Sequence, residues 1–351
     1  MSSPTLEDVA REAGVSTATV SRCLNSPERV LENTRQKVSE AVNKLGYTPH
    51  FAAQALASKR SNTFGALIPT MENSIFARAI QALQVRLATD GITLLVASSN
   101  YDPEREFDQI KTLAARGVDA LMLVGIERPA KAYEYLRQRN IPYVVAWTLD
   151  SSFSHPFVGF DNCAASERMA NAILQQGHRN VAMIAGVTRS NDRATNRVQG
   201  VRKALKDHGL PGDDLPVVEA PYTLESGGEA FEQLMQGDPA PTAIICGNDV
   251  LAVGAIQRAK ELGLDVPGDV SITGFDNIDI ASVVDPRLTT IHVPHRRMGT
   301  AVAELLINLR KPGQNCHSVE LETELVVGGS LGPAPDKGGK DHIGTKSTCS
   351  R

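Results

Sequence analysis

Six residues between positions 17 and 25 could act together: Thr17, Ala18, Thr19, Ser21, Arg22 and Asn25. Read as a helix, this stretch turns Val20, Cys23 and Leu24 inward and leaves those six on the polar side. Short hydroxyl side chains let a helix approach phosphates closely, and Arg22 could pair two N–H groups with a guanine edge in the major groove. The same face also suits a plain solvated surface. A second set closes the apolar runs further along: Pro69–Thr70, Trp147, Gly186 onward, Asn248–Asp249 and Asp276. If those runs are strands of open parallel sheets, these positions lie beyond the carboxyl ends, where such sheets bind ligands. Asn248–Asp249 equally suits the cap of a following helix, and Trp147, the sole tryptophan, equally suits a core position.

Reaction chemistry is missing by comparison. There is no G-x-G-x-x-G after the first apolar run, no P-loop, no G-x-S-x-G and no H-E-x-x-H. The eight histidines, at 50, 155, 178, 208, 292, 295, 317 and 342, show no ligand-like spacing, and the five cysteines, at 23, 163, 246, 316 and 349, form no close pair. No catalytic residue, metal, cofactor or disulfide framework is therefore expected. With 351 residues, 42% hydrophobic and 22% charged, the composition excludes wholesale disorder or a fibrous repeat. No apolar run approaches the ~20 residues that span a bilayer. Residues Met1 to Glu7 lack the basic start and apolar stretch of a secretory signal, so a cytoplasmic protein is expected.

The polar stretch at 17–25 needs a scaffold, and its neighbours supply one. Thr5 can cap a helix with Leu6, Val9, Ala10 and Ala13 on its apolar side, and Asp8 approximates the reciprocal capping partner. Gly14 breaks that helix, Val15 returns to the core, and Ser16 caps the next. Val38, Ala41, Val42 and Leu45 mark a third helix stopped by Gly46. Two short helices joined by a tight glycine turn describe a helix-turn-helix. Residues 1–62 carry eight basic and six acidic side chains, whereas the whole chain has a net charge of −4. A mildly basic end on an acidic body points to a polyanion-binding head. The stretch from Tyr47 to Arg60 is rich in alanine after Pro49. It is shorter than the ~12–15 residues an isolated helix needs, so it reads as a linker with helical tendency.

From residue 61 onward short apolar runs alternate with amphipathic stretches. Strands are expected at Thr63–Pro69, Ile92–Ser98, Ala120–Gly125, Tyr143–Trp147 and Phe157–Asp161, then at Val181–Gly186, Pro216–Ala220, Ala243–Asn248, Val270–Phe275 and Thr289–Val293. Helical patterns include Ile75–Thr89, Glu104–Arg116, Ala164–Gln176, Arg197–His208 and Leu251–Leu262. Alternating βα units mean parallel sheets with helices on both faces, and two sets of strands suggest two similar lobes.

The segment from Thr5 to Arg22 (TLEDVAREAGVSTATVSR), followed by Tyr47-x-Pro49 and Ala53-x-x-Leu56, closely resembles the lactose-repressor/purine-repressor (LacI/GalR) family. Gly247-Asn248-Asp249-x-x-Ala252-x-Gly254-Ala255 and Gly274-Phe275-Asp276-Asn277 extend the resemblance to about residues 4–330. It implies an all-α helix-turn-helix head plus hinge helix, joined to an α/β two-lobed, periplasmic-binding-protein-like (type I) body with parallel sheets and three crossovers. The implied divisions are 1–49 for the head, 50–61 for the hinge and 62–330 for an effector-binding and dimerisation body. Its Rossmann-like lobes would span about 62–161 plus 292–320 and about 162–291 plus 321–330. Residues 331–351, rich in Gly, Pro, Lys and Ser, read from composition as a disordered tail.

The resemblance also implies roles. DNA contacts would come from Thr5, Ser16, Thr17, Ala18, Thr19, Ser21, Arg22, Asn25, Arg29, Thr34, Tyr47, His50, Ala53 and Leu56, with Leu56 wedged between base steps in the minor groove and kinking the duplex. Effector contacts would come from Ile75, Phe76, Trp147, Asn191, Arg193, Arg197, Tyr222, Asn248 and Asp276. Trp147 stands where relatives often carry an acid. Arg193 beside Arg197 suits an anionic effector and suits surface ion pairing as well. The implied function is a sequence-specific transcriptional regulator, a repressor of carbohydrate or sugar-acid metabolism genes, which binds a palindromic operator in double-stranded DNA and a small sugar or sugar acid. No leucine heptads follow residue 330, so a homodimer on nucleoid DNA is expected, with no membrane partner. Two alternatives stay open: an effector that acts as corepressor rather than inducer, and a solute-binding protein without a regulatory role. The head and the absent secretory signal count against the second.

Overall fold

A computed structural model of the chain describes residues 4–25, 27–48, 60–149, 152, 154–311 and 317–335. Most of the expected hinge lies outside these residues, including His50, Ala53 and Leu56.

The head is three helices: α1 (Leu6–Ala13), α2 (Thr17–Asn25) and α3 (Glu32–Leu45). Thr5 and Asp8 form the full reciprocal cap on α1: Asp8 N–H donates to Thr5 Oγ1 at 3.3 Å, and Thr5 N–H donates to Asp8 Oδ2 at 2.9 Å. Such a cap is worth about 1 kcal/mol. Gly14 ends α1 in the left-handed region at φ 65°, where a side chain would be strained. The turn that follows brings Val20 back onto Val9 and Ala10, with Val38 and Ala41 of α3 closing the core. Tyr47 belongs to the same core at 8% exposure.

In the body, β1 (Thr63–Ile68), β2 (Thr93–Ser98), β3 (Ala120–Val124), β4 (Tyr143–Ala146), β5 (Phe157–Gly159) and β11 (Val319–Glu320) form a six-stranded sheet, ordered β11-β5-β4-β3-β1-β2. A second sheet is ordered β7-β6-β8-β9, from β6 (Val181–Gly186), β7 (Val217–Ala220), β8 (Ala243–Cys246) and β9 (Ser271–Thr273). All pairings in both sheets are parallel. Central β1 is buried at every residue, as a strand covered on both faces must be, while edge strand β2 is half open. β10 (Thr290–His292) and β12 (Glu324–Val326) pair antiparallel.

The chain therefore passes between the sheets after β5, again between β9 and β11, and a third time before β12. Helices α4 (Ser74–Ala88), α5 (Pro103–Ala115), α6 (Ala130–Gln138) and α12 (His295–Leu309) flank the first sheet. α7 (Asn162–Gln175), α8 (Asp192–Asp207), α9 (Leu224–Met235), α10 (Asp249–Glu261) and short α11 (Asp279–Val283) belong with the second. Among the described residues no helix is long and apolar enough to cross a membrane.

The structure departs from expectation at the C-terminal end. Residues 331–335, read from composition as the start of a disordered tail, are held against the second sheet. Ile272 N–H donates to Ser330 O at 2.9 Å, Gly332 N–H donates to Ser271 Oγ at 3.1 Å, and Ala334 N–H donates to Gln176 O at 2.8 Å. The buried His178 ring, 3.1 Å from both Ser271 Oγ and Gly332 O, completes the join. Backbone satisfaction along an open sheet edge keeps these residues in place, although their glycines and prolines suggest a free end.

Candidate functional site

The carboxyl ends of strands from both sheets face a shared cleft. Its walls come from the residues that follow β1, β2 and β4 on one side and β6, β7, β8 and β9 on the other. All nine expected effector residues line it: Ile75, Phe76, Trp147, Asn191, Arg193, Arg197, Tyr222, Asn248 and Asp276. Two more lining residues, Asn73 and Tyr101, were not anticipated. Asn73 caps α4, accepting from Ile75 N–H at 3.2 Å. Tyr101 follows β2 in a left-handed pair with Asn100, at φ 60° and 55°.

Local structure explains each placement. Asn191 and Asn248 are the N-caps of α8 and α10, accepting from Ala194 N–H at 3.4 Å and Leu251 N–H at 2.9 Å. For Asn248 both readings of the sequence therefore hold: it caps a helix and lines the cleft. The same is true of Trp147, at once 1% exposed, part of the main core and a cleft wall. Its ring meets Phe76 edge-on, with centroids 5.1 Å apart. Tyr222 comes close to the end of β6 because Gly186 is there; a Cβ at that position would fall 2.0 Å from the phenol oxygen. Tyr101 and Tyr222 face each other at 6.2 Å.

Both arginines of the cleft are engaged. Arg197, 5% exposed, donates from Nε to Asn162 Oδ1 at 2.9 Å and from Nη1 to Gly247 O at 2.6 Å, and its guanidinium lies 3.7 Å from the Phe275 ring centre. Asn162 in turn donates to Trp147 O at 2.8 Å, linking the tryptophan to the arginine. Asp276 faces Arg197 at 3.8 Å. Burial pushes the Asp276 carboxyl up to about 6, against the lowering influence of Arg197. Burial also drives His295 down to about 3, helped by Arg78 and Arg197, so its imidazole is neutral. Arg193 pairs with its neighbour Asp192 at 2.8 Å.

Asp276 and Asn277 both adopt positive φ, 105° and 53°, a costly conformation for residues with side chains. The brace is Asp249, fully buried, whose carboxylate accepts from Thr290 Oγ1 at 2.5 Å and from Ile278 N–H at 2.7 Å. Burial, then the nearby Asp276 charge, pushes the Asp249 carboxyl up to about 8. The sequence reading has position 249 as a strand-end ligand position or as a helix cap. Its support of the turn that carries Asp276 emerges from the structure.

In the head, Thr17, Ala18 and Arg22 are exposed on α2, and Ser16, also exposed, caps it by accepting from Thr19 N–H at 3.2 Å. Thr19, Ser21 and Thr34 are half-buried, Thr5 and Arg29 exposed. Asn25 ends α2. Tyr47 is placed differently from the rest. Its N–H closes the end of α3 on Val42 O at 3.0 Å and its ring packs inward, so little of it is left to meet DNA.

Residues 5–50 match the family of bacterial regulatory proteins, lacI family, and residues 170–331 match a periplasmic binding protein-like domain. Catabolite control protein A of Priestia megaterium is 34% identical over 302 residues, 86% of this chain and 91% of that protein. Among solved structures, the lac repressor dimer bound to operator and the anti-inducer ONPF superposes with a TM-score of 0.81 at 26% identity, covering 94% of this chain and 100% of the other. The complex of the transcriptional regulator CelR with cellobiose superposes at 0.69 and 27% identity, covering 93% and 99%.

Proposed function

Since this chain belongs to the lacI family of bacterial regulatory proteins and is a DNA-binding transcriptional regulator, we propose that it represses genes of carbohydrate or sugar-acid metabolism under the control of a small effector. The observation that carries this reading is the convergence of nine residues, spread from position 75 to 276, on one cleft between two sheets. A site built half from each lobe responds to the angle between them. A similar regulator solved with cellobiose supports a sugar as the ligand. The relatives are regulators of transcription rather than enzymes, and we assign no reaction to the cleft.

The exposed face of α2 reads bases in the major groove, with Arg22 as its arginine. Two heads on a homodimer face two half-sites of a palindrome. Val85, 58% exposed on α4, and Val96, 36% exposed on edge strand β2, suit a surface covered by a second copy. The hinge segment, too short to be a stable helix alone, forms on DNA and inserts Leu56.

Coupling has a physical route. Ser61 donates from N–H and Oγ to the Asp119 carboxylate at 3.0 and 3.1 Å, and Asn62 N–H donates to it at 2.9 Å. Arg310, at the C-terminal cap of α12, adds a bond to Asn62 Oδ1 at 3.0 Å. The residues leaving the hinge are thus tied to the first lobe, and a changed lobe angle moves the point where each hinge begins. A few kcal/mol is enough to shift a marginal hinge equilibrium substantially. The protein would act on nucleoid DNA in the cytoplasm.

Selection of the full chain against a random double-stranded DNA library, repeated with a panel of sugars and sugar acids, tests this. A near-palindrome with a flexible central step is expected, together with a compound that weakens or strengthens its enrichment. Failure to enrich any sequence under every condition would remove the regulatory reading of the head.

A further inference from the structure

The charges around the cleft cancel, and two buried polar atoms in its lining have no hydrogen-bond partner among the described residues. Arg193 is neutralised by Asp192 at 2.8 Å, and Asp192 is itself held by Ile126 N–H at 3.2 Å from across the cleft. The pair is packed against Gly125, at φ 73°, where a Cβ would fall 1.9 Å from Arg193 Nη1 and 2.3 Å from Asp192 Oδ1. Neither group can turn toward a ligand without disturbing that contact. Arg197 spends Nε and Nη1 on Asn162 and Gly247 and faces Asp276 with Nη2. The adjoining cavity shares Tyr101 and Arg193 and adds Glu127 and Glu106, the latter paired with Arg128 at 3.3 Å, so its lining brings no further cation. Asp276 Oδ1 and Trp147 Nε1 have no hydrogen-bond partner among the described residues, on side chains 1% exposed.

From this arrangement we infer that the cleft takes an uncharged, hydroxyl-rich ligand, a neutral sugar, and rejects the corresponding sugar acid. The inference rests on the cleft being the effector site and narrows its ligand. An orphan carboxylate oxygen calls for a hydroxyl donor, and an orphan indole N–H calls for an oxygen acceptor. A sugar ring offers both, and Phe76, Trp147 and Tyr222 give its apolar face a surface. A carboxylate in the same place would meet Asp276 while both arginines are already neutralised.

The test is calorimetric titration of the full-length chain with matched pairs: glucose and gluconate, galactose and galacturonate, ribose and ribonate. In at least one pair the neutral sugar is expected to bind, with its acid weaker by about tenfold or more. An acid that binds as tightly as its neutral partner overturns the inference and leaves the cleft as the effector site. Binding by none of the six would remove the sugar reading of the cleft and this inference with it.

The variant Asp192→Asn supplies a second readout. Asparagine can still accept from Ile126 N–H but leaves the Arg193 charge unanswered. The ratio of acid to neutral affinity should then rise by about tenfold, the difference between a charge-assisted and a neutral hydrogen bond. An unchanged ratio in a folded variant would mean that Asp192 does not silence Arg193, and the charge argument would fall.

Discussion

Replacing Arg197 with alanine should weaken the body and the effector site together, and the size of the effect should depend on pH. The side chain is 5% exposed, bonds Asn162 Oδ1 and Gly247 O, covers Phe275 and stands 3.8 Å from Asp276. Removing one member of a buried ion pair costs about 3–5 kcal/mol, mostly from the charge left behind. At roughly 2–4 °C per kcal/mol for a domain of this size, the melting point should fall by about 10 °C. The Asp276 carboxyl is already raised to about 6 by burial, and Arg197 is what holds it down. An acid whose folded pKa exceeds its unfolded value contributes most at low pH, and that contribution fades as pH climbs from the unfolded value, ~3.9, through the folded one. In the wild type the fading ends near pH 6; without Arg197 it continues above that. The gap in stability between the two proteins should therefore be smaller at pH 5 than at pH 8. Thermal unfolding at both values measures it, with effector titration and operator binding run alongside. A gap that is constant, or that widens toward acid, would refute the pairing of Arg197 with a buried Asp276 charge. Operator binding should survive below the melting point while the effector response is lost.

Other substitutions separate the head from the body. Arg22→Ala should relax base preference at one symmetric operator position by roughly 1–3 kcal/mol, measured by competition among single-base operator variants; a uniform loss across all sequences would make it a phosphate contact. Leu56→Ala should lower operator affinity and DNA bending while effector affinity stays as it was, and bending unchanged in a circular-permutation assay would end the wedge assignment. Asp249→Ala leaves the donors Thr290 Oγ1 and Ile278 N–H without an acceptor, at about 1–3 kcal/mol each. Effector affinity should fall by more than tenfold with operator affinity kept, and equal losses in both would show a general structural role instead.

The cleft was legible because two independent signals agree on it. Apolar runs that end in Trp147, Asn248 and Asp276 are strand ends by periodicity, and family resemblance places ligand contacts at the same residues. Tyr101 obeys the same rule, since it lies just past β2, but the strand-end positions chosen from the sequence left out that run. Asn73 sits two residues before Ile75 as a helix cap, a pattern that would have been readable. The pairing of Arg193 with Asp192 could not be read from the sequence, because an arginine next to an aspartate suits ligand or ion pair until the packing on Gly125 is known. Strands β11 and β12, of two and three residues, are too short to show any period. They exist because neighbouring strands offer them backbone partners, and this information is carried by the fold rather than by their own sequence.

The effector response should depend chiefly on two side chains that the fold leaves unsatisfied. Asn191 and Asn248 already cap helices, and Arg193 and Arg197 already have anionic partners, so these groups shape the cleft more than they drive binding. Trp147 Nε1 and Asp276 Oδ1 are different: each is buried without a hydrogen-bond partner among the described residues. Each such group costs about 1–3 kcal/mol, which a ligand recovers when it supplies the missing partner. Trp147 follows a strand of the first sheet and Asp276 a strand of the second. A ligand that touches only one recovers half of that free energy and leaves the lobes free to move. One that touches both gains about 2–6 kcal/mol, but only at the lobe angle where both bonds form. Differential affinity of that size approaches the ~5.5 kcal/mol needed to carry a two-state equilibrium from one side to the other. Ligands that bridge the two residues should therefore act as effectors, whereas fragments that reach just one should bind and compete without changing operator affinity.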